Sequence, residues 1–115
     1  MPERNELPRR CCLKSRLEIS HLFKAGKRFS GAYFSLVWQE NDSFKYGVFV
    51  SRRFGNAARR NRIKRVFREA IRLNRKLLER PVKIAVLPNR VSDKQKFELI
   101  DAEISRLFRG VNNQA

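Results

Sequence analysis

Apolar residues recur along the chain in two rhythms. Residues 16–25, RLEISHLFKA, set Leu17, Leu22 and Phe23 at near-helical spacing, with Gly26 as the stop, and predict a short helix. From 32 to 39, AYFSLVWQ, the period becomes two. Phe34, Leu36 and Trp38 point one way, and Tyr33, Ser35 and Val37 the other. ENDS is a turn, and FKYGVFVS, 44–51, alternates again, so the two runs read as an antiparallel hairpin. With Tyr46, Val48 and Val50 joining Phe34, Leu36 and Trp38 in the core, the opposite face carries Ser35, Val37, Phe49 and Ser51.

RRFGN breaks the second strand, and Asn56 is placed to cap the helix that follows. On that helix Ile63, Val66, Phe67, Ala70, Ile71, Asn74, Leu77 and Leu78 fall on one stripe, and Pro81 ends it. VKIAVLP, 82–88, predicts a third strand. Ser92 or Asp93 caps a last helix with Phe97, Ile100, Ile104, Leu107 and Phe108 on its inner face and Gly110 at its end. Glu98 and Asp101 fall on its solvent side. The order is α-β-β-α-β-α, an α+β two-layer sandwich. Residues 1–14 read as a flexible basic tail, 15–110 as a single domain and 111–115 as a C-terminal tail.

Charge changes the picture more than length does. The chain has 115 residues, 42% of them apolar and nine of them Phe, enough for one packed core. Its net charge is +16, and such a chain repels itself unless a polyanion is present. Nucleic acid is the first expectation, ahead of an anionic membrane. No run of 18 apolar residues is present, and MPERNELPRRCCLKSRL lacks the apolar centre of a secretory signal, so a cytoplasmic setting is expected. Cys11 and Cys12 are adjacent and read as two reduced thiols. A single histidine excludes histidine-based triad or metal chemistry, and the eleven acids are too scattered for a two-metal nuclease site.

The charge is concentrated. Residues 52–80 hold twelve of the 27 basic residues and two of the eleven acidic ones, so a net +10 of the +16 sits in a quarter of the chain. Within it, NAARRNRIKRVFREAIR puts Arg59, Arg60 and Arg62 in the first turns of a helix. There the macrodipole disfavours each exposed cation by about 0.3–1 kcal/mol. Like charges four apart, Arg60 with Lys64 and Lys64 with Arg68, cost similar amounts. A solvated basic face is the plain alternative, but solubility alone does not select this placement. Phosphates relieve it, through arginine forks and the free N–H groups of a helix start. No heptad zipper, zinc-finger spacing or aromatic octapeptide of an RNA-recognition motif accompanies the segment.

NAARRNRIKRVFREA resembles the signature of the bacterial ribonuclease P protein component: an Ala, two variable residues, Arg-Asn-Arg, an aliphatic residue and Lys-Arg. Here these are Ala57 and then Arg60-Asn61-Arg62-Ile63-Lys64-Arg65. FKAGKRF, YGVFVSRRFGNA and VKIAVLPN are similar to flanking parts of the family in order and spacing, so the resemblance spans about residues 14–108. It implies a ribosomal protein S5 domain 2-like fold with a left-handed βαβ crossover, against the usual preference. It also implies a protein with no catalytic residues of its own. The partner is a catalytic RNA that uses Mg²⁺ to remove the 5′ leader of precursor tRNA. The resemblance implies no metal site on the protein, no membrane and no obligate protein partner.

By the same resemblance Arg59, Arg60, Asn61, Arg62, Lys64, Arg65 and Arg68 contact the catalytic RNA, although Asn61 reads equally well as a solvated or capping residue. A cleft between the first helix and the open sheet face holds the single-stranded leader. Bases resting there need apolar surface without a sequence code. Phe23, Ile19, Ser35, Val37, Phe49 and Ser51 are the candidates, with Arg52 and Arg53 at the edge for a phosphate. Ile19 stands where the family often has an aromatic, and Val37 where Tyr is common. Phe49 can restore some stacking area, and ordinary core packing is the alternative for Phe23 and Phe49. A structural RNA binder such as a ribosomal protein, or a DNA-binding regulator, shares the same composition.

Overall fold

The computed structural model describes residues 11–89 and 97–114. Helix α1, Arg16–Ala25, starts where Ser15 Oγ accepts from Glu18 N at 3.3 Å. Strands β1, Lys27–Ser30, β2, Phe34–Glu40, and β3, Lys45–Val48, follow. A short 3₁₀ turn, Arg52–Phe54, leads into helix α2, Ala57–Asn74. Strand β4, Val82–Pro88, and helix α3, Phe97–Asn113, complete the chain.

The sheet order is β1-β2-β4-β3. β4 runs antiparallel to β2, pairing Phe34 with Pro88 through Glu40 with Val82, and parallel to β3. The hairpin expected of residues 32–39 and 44–51 therefore does not form, because β4 lies between the two strands. Alternation assigns the faces of a strand but not its neighbours. Val82, Ile84, Ala85 and Val86 are all fully buried, and a strand apolar on both faces belongs in the middle. The true hairpin pairs β2 with β1, which KRFS concealed by showing mostly exposed, charged positions. The α+β class stands, with one strand more than the periodicity revealed.

Phe34, Leu36, Trp38, Tyr46, Ile84 and Val86 on one sheet face meet Ile63, Phe67, Ala70 and Ile71 of α2 and Ile100, Ile104, Leu107 and Phe108 of α3. Phe34 and Phe67 meet edge to face, with ring centroids 5.3 Å apart. The two helices are tied by Asn74, whose Nδ2 donates to Ala70 O at 2.8 Å and to Asp101 Oδ1 at 2.6 Å. Asp101 thus faces α2, not solvent as its spacing implied. On the other sheet face α1 drops Leu22 onto Val37 and Ala85. The seat is close. A Cβ on Gly26 would lie 2.7 Å from Val37 Cγ1 and 2.5 Å from Leu22 O. Leu17, counted on the inner stripe from spacing, is 84% exposed.

Both expected tails are shorter than the sequence implied. Cys11 and Leu13 are buried, and Leu13 N donates to Tyr46 O at 2.8 Å, so residues 11–13 lie along the outer edge of β3. Both cysteines are free thiols. α3 does not stop at Gly110 but runs to Asn113, with Val111 buried and the Phe29 ring beside the glycine. The expected caps Ser92 and Asp93, like residues 1–10, lie outside the described residues.

Burial beside Cys12, whose thiol is 3.9 Å away, pushes the Tyr46 phenol from 10.0 up to about 12. A raised phenol pKa means the folded chain keeps a proton that the unfolded chain releases. The associated stability is present below pH 10 and is lost as pH rises toward 12. Denaturant unfolding at pH 9 and pH 11.5 is expected to show a smaller loss for Tyr46→Phe than for the parent chain. Equal losses would place the phenol in an ordinary environment.

Candidate nucleic-acid interface

Two surfaces meet at the junction of the 3₁₀ turn and α2. Gly55 makes the turn possible. Its φ of 122° lies where L side chains are strained, and a Cβ there would sit 2.9 Å from Arg59 Cδ. Asn56 then caps α2, its Oδ1 accepting from Arg59 N at 2.9 Å. The first turn contains no acidic residue.

The inner stripe of α2 fixes where its charges go. Because Ile63, Phe67, Ala70 and Ile71 are buried, Asn61, Arg65 and Arg68 follow one another along the outer ridge, and all three are exposed. Arg62 is exposed on one flank, and Lys64 is half-buried on the other. Arg59 and Arg60 are half-buried in the first turn. Among the described residues the ion pairs are Lys45–Glu18, Arg72–Glu69 and Arg80–Glu40. Arg60, Arg62, Lys64, Arg65 and Arg68 take part in none of them. Glu69, the one acid on this helix, is held below its usual range by its hydrogen bond to Arg72. Arg65, Arg68 and Arg72 line a cavity of 740 Å³ with Tyr46, Val66, Glu69 and Phe97.

The second surface is the sheet face that α1 leaves partly open. Phe23 of α1 is half-buried and meets Phe49 edge to face, centroids 5.9 Å apart. Ile19 is half-buried beside them, and Ser35 pairs across the ladder with Leu87. Val37 is a correction. It is fully buried beneath α1, so it is floor and offers no surface on which a base could rest. Ser51 is exposed, but its Oγ accepts from Arg53 N at 3.4 Å and so caps the 3₁₀ turn. Arg52 and Arg53 are exposed on that turn, and the Arg53 guanidinium lies 5.2 Å from the Phe54 ring centroid.

A depression of 380 Å³ joins the two surfaces. It is lined by Val48, Phe49, Val50, Ser51, Leu87 and Lys64. Three of these differ from the sequence reading: alternation assigns Val48 and Val50 to the core, and it does not single out Leu87, although the series Lys83, Ala85, Leu87 along β4 places that residue on this face. The arrangement offers apolar and aromatic area beside exposed guanidinium and ammonium groups, which suits unstacked bases and their phosphates. Among the described residues no three His, Cys, Asp or Glu side chains converge as metal ligands. None of the described helices is long and apolar enough to cross a membrane.

Arg62→Ala is expected to leave the chain's stability within about 0.5 kcal/mol of the parent, because an exposed side chain without an ion-pair partner is removed. Thermal unfolding in the absence of nucleic acid measures this. A large drop in melting temperature would make the residue part of the scaffold.

Comparison with known proteins follows the same lines. Residues 7–112 match the family model described as Ribonuclease P. A ribonuclease P protein component from Desulfatibacillum aliphaticivorans is 36% identical over 102 residues, covering 87% of this chain and 86% of that protein. The corresponding protein of Thermotoga maritima is 36% identical over 95 residues, covering 81% of this chain and 80% of that protein. The solved structure of the RNase P protein from Thermotoga maritima superposes with a TM-score of 0.78 at 28% identity, covering 85% of this chain and 94% of that one.

Proposed function

The chain belongs to the ribonuclease P protein component family, and from that premise we propose that it binds the catalytic RNA of ribonuclease P through α2 and the 5′ leader of precursor tRNA through the groove beside α1. The observation that carries the first half is the set of five cations on α2, Arg60, Arg62, Lys64, Arg65 and Arg68, with no carboxylate partner among the described residues. The second half is carried by the contact between Phe23 and Phe49 at a partly open apolar face. Cleavage of the phosphodiester belongs, on this reading, to the RNA and its Mg²⁺. The described residues provide no ligand cluster for that ion, so no step is assigned to a protein-held metal.

The protein's share is binding and placement. Cations on α2 neutralise phosphates of the catalytic RNA, which lowers the repulsion that a second polyanion meets on approach. Phe23, Ile19, Phe49 and Leu87 present apolar surface to leader bases of any sequence. Arg52 and Arg53 stand where the leader backbone would pass. Lys64 lines the same depression as Phe49 and Leu87, so one residue of the RNA-binding helix also borders the leader groove. The reading sets the complex in the cytoplasm.

The test is reconstitution. The chain, a bacterial ribonuclease P RNA and a precursor tRNA are mixed at low Mg²⁺, where the protein is expected to raise correct 5′ cleavage. No gain would favour a purely structural RNA binder. Phe23→Ala is expected to raise KM roughly fivefold for substrates with a long leader, the loss of about 1 kcal/mol of base stacking, and to leave leaderless tRNA binding unchanged. Equal effects on both substrates would remove the groove from the account.

A further inference from the structure

A second group of cations sits around β1, at the sheet edge opposite β3. β1 and β3 are opposite edges, with β2 and β4 between them. Three strand spacings separate them by roughly 14 Å, more than the Debye length of about 8 Å at physiological salt. Charge on β1 is therefore largely screened from charge on β3.

That edge is built from three elements. Lys24 is exposed in the last turn of α1. Arg28 of β1 is exposed and donates from Nη2 to Phe23 O at 3.2 Å, which holds it against that turn. Lys27 of β1 points to the other side, its Nζ 2.8 Å from Gln114 O and 5.2 Å from the Trp38 ring centroid. Phe29 packs beside Gly110 and Lys27 reaches Gln114 O, so the C-terminal end of α3 meets β1 at these two points, and Arg106 and Arg109 are exposed on that stretch of the helix. Among the described residues none of these five cations forms an ion pair. The nearby acids are otherwise engaged: Glu40, which shares a cavity with Lys27, pairs with Arg80, and buried Glu103 accepts from Tyr33 N at 3.2 Å.

We propose that the edge formed by β1 and the C-terminal half of α3 is a second RNA-contact surface, which holds the phosphodiester backbone of a segment other than the one at α2. It rests on the reading that the partner is RNA and extends that reading to a face outside the arginine-rich motif, which meets the leader groove only where Arg28 donates to Phe23 O. Charge complementarity selects the occupant. An unpaired set of cations from three elements, with few apolar neighbours exposed, fits a polyanion backbone and not an apolar partner. The competing role for such residues is to keep an open edge strand from pairing with another copy of the chain.

The test uses the full chain carrying Lys27→Gln, Arg106→Gln and Arg109→Gln together, measured for affinity to a ribonuclease P RNA transcript. Sedimentation of the free protein and thermal unfolding accompany it. The expected result is a folded monomer that binds the transcript roughly tenfold more weakly, with the loss multiplying that of Arg62→Ala when the changes are combined. If the triple variant folds poorly, Arg106→Gln with Arg109→Gln, both exposed helical positions, is expected to show a smaller loss of the same kind. Parent-like affinity in a variant that self-associates would overturn the proposal in favour of an edge guard. Parent-like affinity in a monomer would overturn it while leaving the reading of α2 intact. Should the parent chain itself fail to bind the transcript, the RNA reading falls and this surface with it.

Discussion

The buried stripe of α2 is the constraint on which the rest of the structure depends. Fully burying a side chain such as Ile63, Phe67 or Ile71 is worth about 1.5–3 kcal/mol each. The repulsion among cations on the outer arc costs a few tenths of a kcal/mol for each pair or helix-start position. Burial wins by a clear margin, so the helix stays seated and its charges are held outward at fixed spacing. The same seat fixes the sheet. A helix bound to this face between β3 and β4 returns the chain to a parallel partner, and doubly buried β4 becomes the centre of the sheet. Folding thus stores an electrostatic tension that a polyanion can release.

Geometry then divides the surface into regions with different chemistry. The outer ridge of α2 is cationic and lacks aromatic side chains. The open sheet face beside α1 is apolar, with Phe23 and Phe49 in contact across it. Lys64 borders both, because its flank of the helix faces the depression lined by Phe49 and Leu87. On the proposed reading one polynucleotide segment lies on the ridge while another rests on the apolar face, and their backbones approach each other near Lys64 and the 3₁₀ turn. A third region, around β1, carries cations without ion-pair partners among the described residues and touches the apolar face only through Arg28 and Phe23.

Much of this was legible in the residues. The start of α2 at Asn56, the span of β4 and the inner stripe Ile63, Phe67, Ala70 and Ile71 follow from capping and periodicity, which are local. Strand pairing was not legible, because β2 and β3 have compatible faces and only the crossover through α2 decides that they part. β1 escaped notice because an edge strand with charged positions has little apolar signal. Val37 looked exposed by alternation and is buried by α1, a contact made close by the missing side chain of Gly26. Asp101 and Leu17 failed for the same reason in opposite directions: helical spacing names a face, and the neighbouring element decides how wide the buried arc is. The roles assigned to single arginines rest on exposure and on the absence of ion pairs, which sequence alone does not report.

The salt dependence of RNA binding tests the central claim most directly. If the uncompensated cations of α2 meet phosphates, the logarithm of the association constant for a ribonuclease P RNA falls linearly with the logarithm of salt concentration. About five phosphates neutralised by the α2 cations alone would give a slope near −4. A slope close to zero would mean that these cations do not face RNA phosphates, and the account would be wrong at its root.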